Sequence, residues 1–278
     1  MCEITRENTD WFQNIINTYG LNVIPSDSLI ATYKLGRGCF GTVYRAILGY
    51  LDYVAIKIVG SEMDKETERL FMNELQQLSR QNHERIIKFY GLCLSKYNKK
   101  STYLVMEYAE NGNLREYLRN NLEWPEKIRL AKQITEGMSY LHDLDIIHYV
   151  KISDFSKNLN SIATSIGIIP FIDPQKLKDS RYLYDRKSDI YSIGVIMWEI
   201  SSNVSAPFRQ KDRLNDLRSS IINGSREEPI TRTPARYIIL YSKCWNNEPC
   251  KRPPMKQNFQ QLNSLELDPK YDGTNQVL

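Results

Sequence analysis

Leu35-Gly36-Arg37-Gly38-Cys39-Phe40-Gly41-Thr42-Val43, followed by Val54-Ala55-Ile56-Lys57, decides the fold. The text from Leu29 to Val59 is rich in Tyr, Val and Ile and broken by glycines, the composition of strands joined by tight turns. The glycines therefore fall between two strands, not at a strand-to-helix turn. Taken alone, such a glycine pattern often only permits positive φ. Lys57 stands sixteen residues beyond Gly41, inside an apolar run, where a lysine ordinarily snorkels to the surface.

The next segment gives that lysine a reason. Ser61-x-x-Asp64 opens a helix expected to run to about Ser79, with an apolar stripe of Leu70, Phe71, Leu75 and Leu78. Glu74 sits inside the stripe, and a carboxylate facing a core must find a partner or neutralise. Lys57 and Glu74 are two misplaced charges that answer each other. Ile86–Leu94 and Thr102–Tyr108 read as two further strands. Beyond Gly112 the pattern turns helical, over Leu114–Arg119, from Pro125 to about His142, over Arg236–Trp245 and over Met255–Leu265. Asp189–Ile200 is apolar almost all round and should be a buried central helix.

In this order the segments resemble the protein kinase signature set, over roughly residues 29–266. The resemblance implies an α+β, two-lobed fold, with a small β-rich lobe carrying one helix (29–106) and a larger, mainly helical lobe (107–266). It also implies roles. Leu35, Gly36, Arg37, Gly38, Val43 and Ala55 would bind ATP from above. Lys57 would grip its phosphates while paired to Glu74. The Glu107 carbonyl and the Ala109 amide, in Met106-Glu107-Tyr108-Ala109, would meet adenine, with Met106 in the gatekeeper position. Asp154, in Asp154-Phe155-Ser156, would hold Mg2+. Gly167-Ile168-Ile169-Pro170-Phe171-Ile172-Asp173-Pro174-Gln175 resembles the end of the activation segment. Its Ile-Pro-Phe-Ile-Asp-Pro portion, with Cys244-Trp245, is nearest to the tyrosine-kinase-like Ser/Thr group.

The departures from the pattern carry the functional reading. His148 and Asp154 are six residues apart, where the family places a catalytic loop and a hairpin. Tyr149, Val150, Lys151, Ile152 and Ser153 include no carboxylate and no amide, so no catalytic base and no second metal ligand stand between them. No catalytic residue is assigned for that reason. Asp143 and Asp145 are the nearest acids, in what reads as a solvated turn after a helix. Six residue steps reach about 20 Å, so the excision can be closed. Gln175 replaces the glutamate that pairs with a late arginine, here Arg252, which predicts a charge-to-neutral bond in place of an ion pair. Asp189 is expected to lose its backbone partners and to cap its own helix instead. A pseudokinase acting as a signalling or scaffold module follows, with weak or absent binding of ATP and Mg2+. The alternatives are an active Ser/Thr kinase or a mis-spliced version of one.

Bulk composition excludes other classes. The 278 residues are 41% hydrophobic and 25% charged, ordinary for a globular protein. A net charge of +4 spread along the chain leaves no stripe for nucleic acid or membrane, so protein partners are expected. Five cysteines without C-x-x-C spacing read as reduced thiols, and the three histidines make no metal constellation. The polar start of the chain and the lack of a long apolar run predict a cytoplasmic protein. Residues 1–28 read as an extension with a short helix around Asp10–Thr18, and 267–278 as a flexible tail.

Overall fold

The computed structural model describes residues 12–38, 41–50, 52–59, 71–72, 75–94, 101–148, 169–203, 207–208 and 214–265. The chain divides into two compact units, Met1–Glu110 and Asn111–Leu278.

The first unit is built on a five-stranded antiparallel sheet in the order β1-β2-β3-β5-β4. Its strands are β1 (Leu29–Gly38), β2 (Gly41–Leu48), β3 (Asp52–Val59), β4 (Phe89–Leu94) and β5 (Thr102–Glu107). Alternation along the strands sorts side chains to two faces. Ala46, Val54, Ile56, Cys93 and Val105 are buried on one, with Ile24 and Leu29 packed against them. Leu92 and Leu104 point the other way, into a cluster with Phe71, Leu75, Phe12 and Ile15. Phe71 and Leu75 belong to helix α2, whose described helical residues are 71–72 and 75–79. Phe12 and Ile15 belong to helix α1, residues 12–19. The helix expected in the N-terminal extension thus forms, and its Phe12–Ile15 face packs into the core of this unit while Gln13, Asn14, Asn17 and Thr18 are exposed.

The second unit is helical: α3 (Leu114–Leu118), α4 (Trp124–Asp143), α5 (Pro174–Lys178), α6 (Arg186–Ser202), α7 (Leu214–Ile222), α8 (Ala235–Cys244) and α9 (Met255–Asn263). Short α3 is set by a capping box between Asn113 and Glu116. Every residue of α6 from Ser188 to Ser201 is buried, as its all-round apolarity predicts. Gly194 lets α8 come close: a Cβ there would stand 2.8 Å from Cys244 Cβ and from the Trp245 nitrogen. Helix α7 has no counterpart among the helices read from sequence, although Leu217 and Ile221, four apart, are both buried in it. A sheet-based unit and a helical unit make up the α+β, two-lobed architecture. The expected tail, 267–278, lies outside the described residues.

Candidate functional site

The face of the sheet opposite the Ala46–Val54–Ile56 cluster carries Val43, Ala55 and Lys57, whereas Glu107, paired with Val54, falls on the cluster's own side. Val43 pairs with Lys57 and Arg45 with Ala55 across β2 and β3, so all four side chains share that face. Lys57 is only 7% exposed and Ala55 only 8%, so the lysine does not snorkel. Lys57 also pairs with Leu104 of β5, which places it on the side against which α2 packs. Leu35 and Val43 are half-buried.

Gly36 pairs with Val43, Arg37 with Thr42 and Gly38 with Gly41, and the β1–β2 register shifts between Lys34 and Gly36, just before the glycines. The usual structural reason for a glycine does not apply at Gly36. Its φ is not positive, and a Cβ added there would meet nothing within 4 Å. Open space over a strand is what the close approach of a ligand to the backbone requires.

At the end of β5, Glu107 is exposed; its N–H donates to the Lys88 carbonyl at 2.8 Å, and its carboxylate accepts from the Lys88 N–H at 3.0 Å. The Ala109 N–H has no partner among the described residues and is available to a ligand acceptor. Next to it, on the Ala55 face, sequence reasoning missed an aromatic–cationic edge. The Arg45 guanidinium lies 4.2 Å from the Tyr33 ring and 4.3 Å from the Tyr53 ring, and the Tyr33 and Tyr108 hydroxyls are 3.2 Å apart. Alternation along β2 would have placed Arg45 beside Ala55, but its stacking partners come from three separate segments.

In the helical unit the backbone leading up to His148 is fastened to the central helix. The Asp189 carboxylate, 1% exposed, accepts the His148 backbone N–H at 2.9 Å and stands 3.1 Å from His142 Nε2. This corrects the expectation that Asp189 would cap its own helix. Asp185 does that instead, accepting the Ser188 N–H at 2.9 Å in a capping box. The His148 side chain is exposed. Of the nearby acids, Asp143 is exposed at the end of α4, and Asp145 is paired with Arg186.

Arg252 requires a second correction. Its expected weak bond to Gln175 does not form; a full ion pair to Asp173 does, with both side chains at 0% exposure. The fork is two-pronged: Nη1 meets Oδ2, and Nη2 meets Oδ1 at 3.1 Å. Arg252 further donates to the carbonyls of Asn246 and Lys187, and its guanidinium lies 5.2 Å from the Tyr191 ring. Burial pushes the Tyr191 hydroxyl up to about 12. Gln175 turns away, donating its amide to the Asn247 carbonyl at 3.0 Å. The acid has moved two positions upstream, and Asp173 in the sequence was the available signal.

A family profile described as "Protein tyrosine and serine/threonine kinase" matches residues 29–262. The chain belongs to the protein kinase family. It is 28% identical to Fer-related kinase 1 of Caenorhabditis elegans over 263 residues, covering 86% of this chain and 66% of that protein. It is 27% identical to receptor-interacting serine/threonine-protein kinase 4 of Mus musculus over 269 residues, covering 84% and 33%. With mitogen-activated protein kinase kinase kinase 7 of Bos taurus it shares 30% over 253 residues, covering 80% and 41%. The chain thus spans two thirds or less of the length of these curated relatives.

Kinase domains generally bind ATP with Mg2+. The residues present in the sheet unit fit the nucleotide: an open glycine strand, a buried cation on the same face, and an unengaged amide at the end of β5. Two assigned residues, Glu74 and Asp154, lie outside the described residues, as does all of 149–168. Among the described residues no group of His, Cys, Asp and Glu side chains could hold a metal ion. No described helix is long and apolar enough to cross a membrane.

Proposed function

We propose that this kinase-family chain is a pseudokinase: a cytoplasmic binding or scaffold module in signalling, with weak or no ATP binding and no phosphoryl transfer. The observation that carries the reading is the six-residue step from His148 to Asp154. Phosphoryl transfer is mostly positioning and charge neutralisation, supplied by a loop aspartate, an asparagine and two metal ions. Neither residue exists between His148 and Asp154, and Asp145, three residues before His148, is an exposed carboxylate in a surface pair with Arg186. If ATP binds, Gly36 and Val43 lie over it, Lys57 meets its phosphates and Ala109 N–H meets the base, while Asp154 alone remains for the metal. Tyr149 to Ser153 are too few in the sequence to supply the hairpin strand that would close the lower side of the base. One ring face is then left in water, which costs about two decades of affinity.

The test is incubation of the purified chain with labelled ATP, Mg2+ or Mn2+, and generic protein substrates. No incorporation is expected. Incorporation that disappears in Lys57→Ala overturns the proposal. Millimolar Mg-ATP should leave the melting temperature nearly unchanged, since a ligand at one hundred times its dissociation constant would add about 2.7 kcal/mol. A second reading, an active Ser/Thr kinase or a mis-spliced version of one, is favoured by the lysine and glycine strands and by relatives that are named kinases. The incorporation assay tests the first form, and sequencing the transcript across codons 140–160 tests the second.

A further inference from the structure

We propose that the N-terminal segment, residues 12–24, is a built-in clamp that positions α2 and, through it, the surroundings of Lys57. The proposal rests on the reading of Lys57 as the nucleotide-gripping lysine. Phe12 and Ile15 of α1 are 5% and 2% exposed and share one buried cluster with Phe71 and Leu75 of α2 and with Leu92 and Leu104 of the sheet. Leu104 is the cross-strand partner of Lys57. Most helical stability in proteins comes from packing of an apolar face, so the placement of α2 depends on what Phe71 and Leu75 meet. Both meet the sheet and α1 in this one cluster.

The chain after α1 is fastened as well. Leu92 N–H donates to the Asn22 carbonyl at 2.9 Å, and Ile24 N–H donates to the Leu92 carbonyl at 2.8 Å, which adds a parallel bridge at Val23 to strand β4. Gly91 is fitted to this contact. It has φ +146°, and a Cβ there would lie 2.4 Å from the Asn22 carbonyl oxygen. The edge strand therefore carries a glycine where the segment crosses it. Docking on both α2 and β4 makes residues 12–24 a lever on the lysine side of the sheet. Phe12 and Ile15 are positioning residues, acting through α2.

Amine acetylation of Lys57 in the full-length chain, followed by mass spectrometry without nucleotide, tests the idea. In Phe12→Ala/Ile15→Ala the Lys57 acetylation rate should rise at least about tenfold, because each truncation removes packing worth more than a decade in local opening. Phe12→Leu/Ile15→Val should return it to near the parent rate. Ile221→Ala, in the helical unit, serves as the control and is compared at equal distance below its melting temperature; it should leave Lys57 unchanged. Equal Lys57 rates in the double-alanine variant and the control overturn the proposal. Should the double variant not fold, hydrogen exchange of the unmodified chain decides: residues 15–19 and 75–79 should open together. Exchange at 15–19 with 75–79 still protected refutes the clamp. Protection of Lys57 by Mg-ATP in the parent chain is scored separately, so a failed nucleotide reading leaves a positive clamp result interpretable.

Discussion

Replacing Asp173 separates two accounts of how the helical unit is locked. Its carboxylate meets Arg252 with both groups fully buried, accepts the Ser188 hydroxyl at 3.0 Å and caps α5 through the Gln175 N–H at 2.9 Å. Removing one partner of a buried pair costs about 3–5 kcal/mol, because the other charge is left uncompensated. Arg252 would keep its bonds to the Asn246 and Lys187 carbonyls, which favours the low end. Asp173→Asn, which keeps an acceptor for the cap, should therefore cost about 3 kcal/mol. Asp173→Ala also loses the cap, worth about 1 kcal/mol more. At about 2–4 °C per kcal/mol for a unit of this size, the melting temperature should fall by about 6–16 °C across the two variants. Urea unfolding followed by the fluorescence of buried Trp198 and Trp245 reads the loss directly. Gln175→Ala removes one neutral bond and should cost about 1 kcal/mol or less. If Gln175→Ala proves the more damaging, or Asp173→Asn stays within about 0.5 kcal/mol of the parent, the ion pair is wrongly assigned.

Two further outcomes follow from buried groups. Gly194→Ala should destabilise by about 1–3 kcal/mol in the same urea assay, since α6 and α8 leave no room for a Cβ; an unchanged midpoint would show that the helices separate freely. Burial raises the Glu199 carboxyl above its ordinary 4.5, with Arg115 opposing, so the native state takes up its proton first as pH falls. The stability this group contributes is complete below 4.5 and is lost as pH rises through the raised value. The parent should accordingly lose stability relative to Glu199→Gln between pH 4.5 and neutrality, and a difference that stays constant or grows refutes the assignment.

Much of this was legible in the residues themselves. The strand-like text from Leu29 to Val59 announced the sheet that carries Lys57, and the apolar circumference of Asp189–Ile200 announced a buried helix. What could not be read was tertiary choice among equivalent partners. Asp173 and Gln175 both lie within reach of Arg252, and only packing around Ser188 shows which one wins. Asp189 could cap its own helix or reach back to His148; the presence of Asp185 at the cap decided it. Helix α7 was overlooked although Leu214, Leu217, Ile221 and Ile222 fall at i, i+3, i+7 and i+8; its nine residues are too short for the periodicity to stand out from the polar text around it. The buried face of α1 was visible as a pattern, but a single sequence does not state what that face meets.

The bond from Asp189 to the His148 amide has a consequence for insertions. Backbone already pinned to the central helix has surrendered its orientational freedom, so a longer excursion leaving from that point incurs only the slow logarithmic growth of loop entropy. Doubling the length of such an excursion costs about 0.6 kcal/mol. A hairpin inserted after His148 would leave from an anchored point, and the helical unit should accept it far more readily than the size of the insertion suggests.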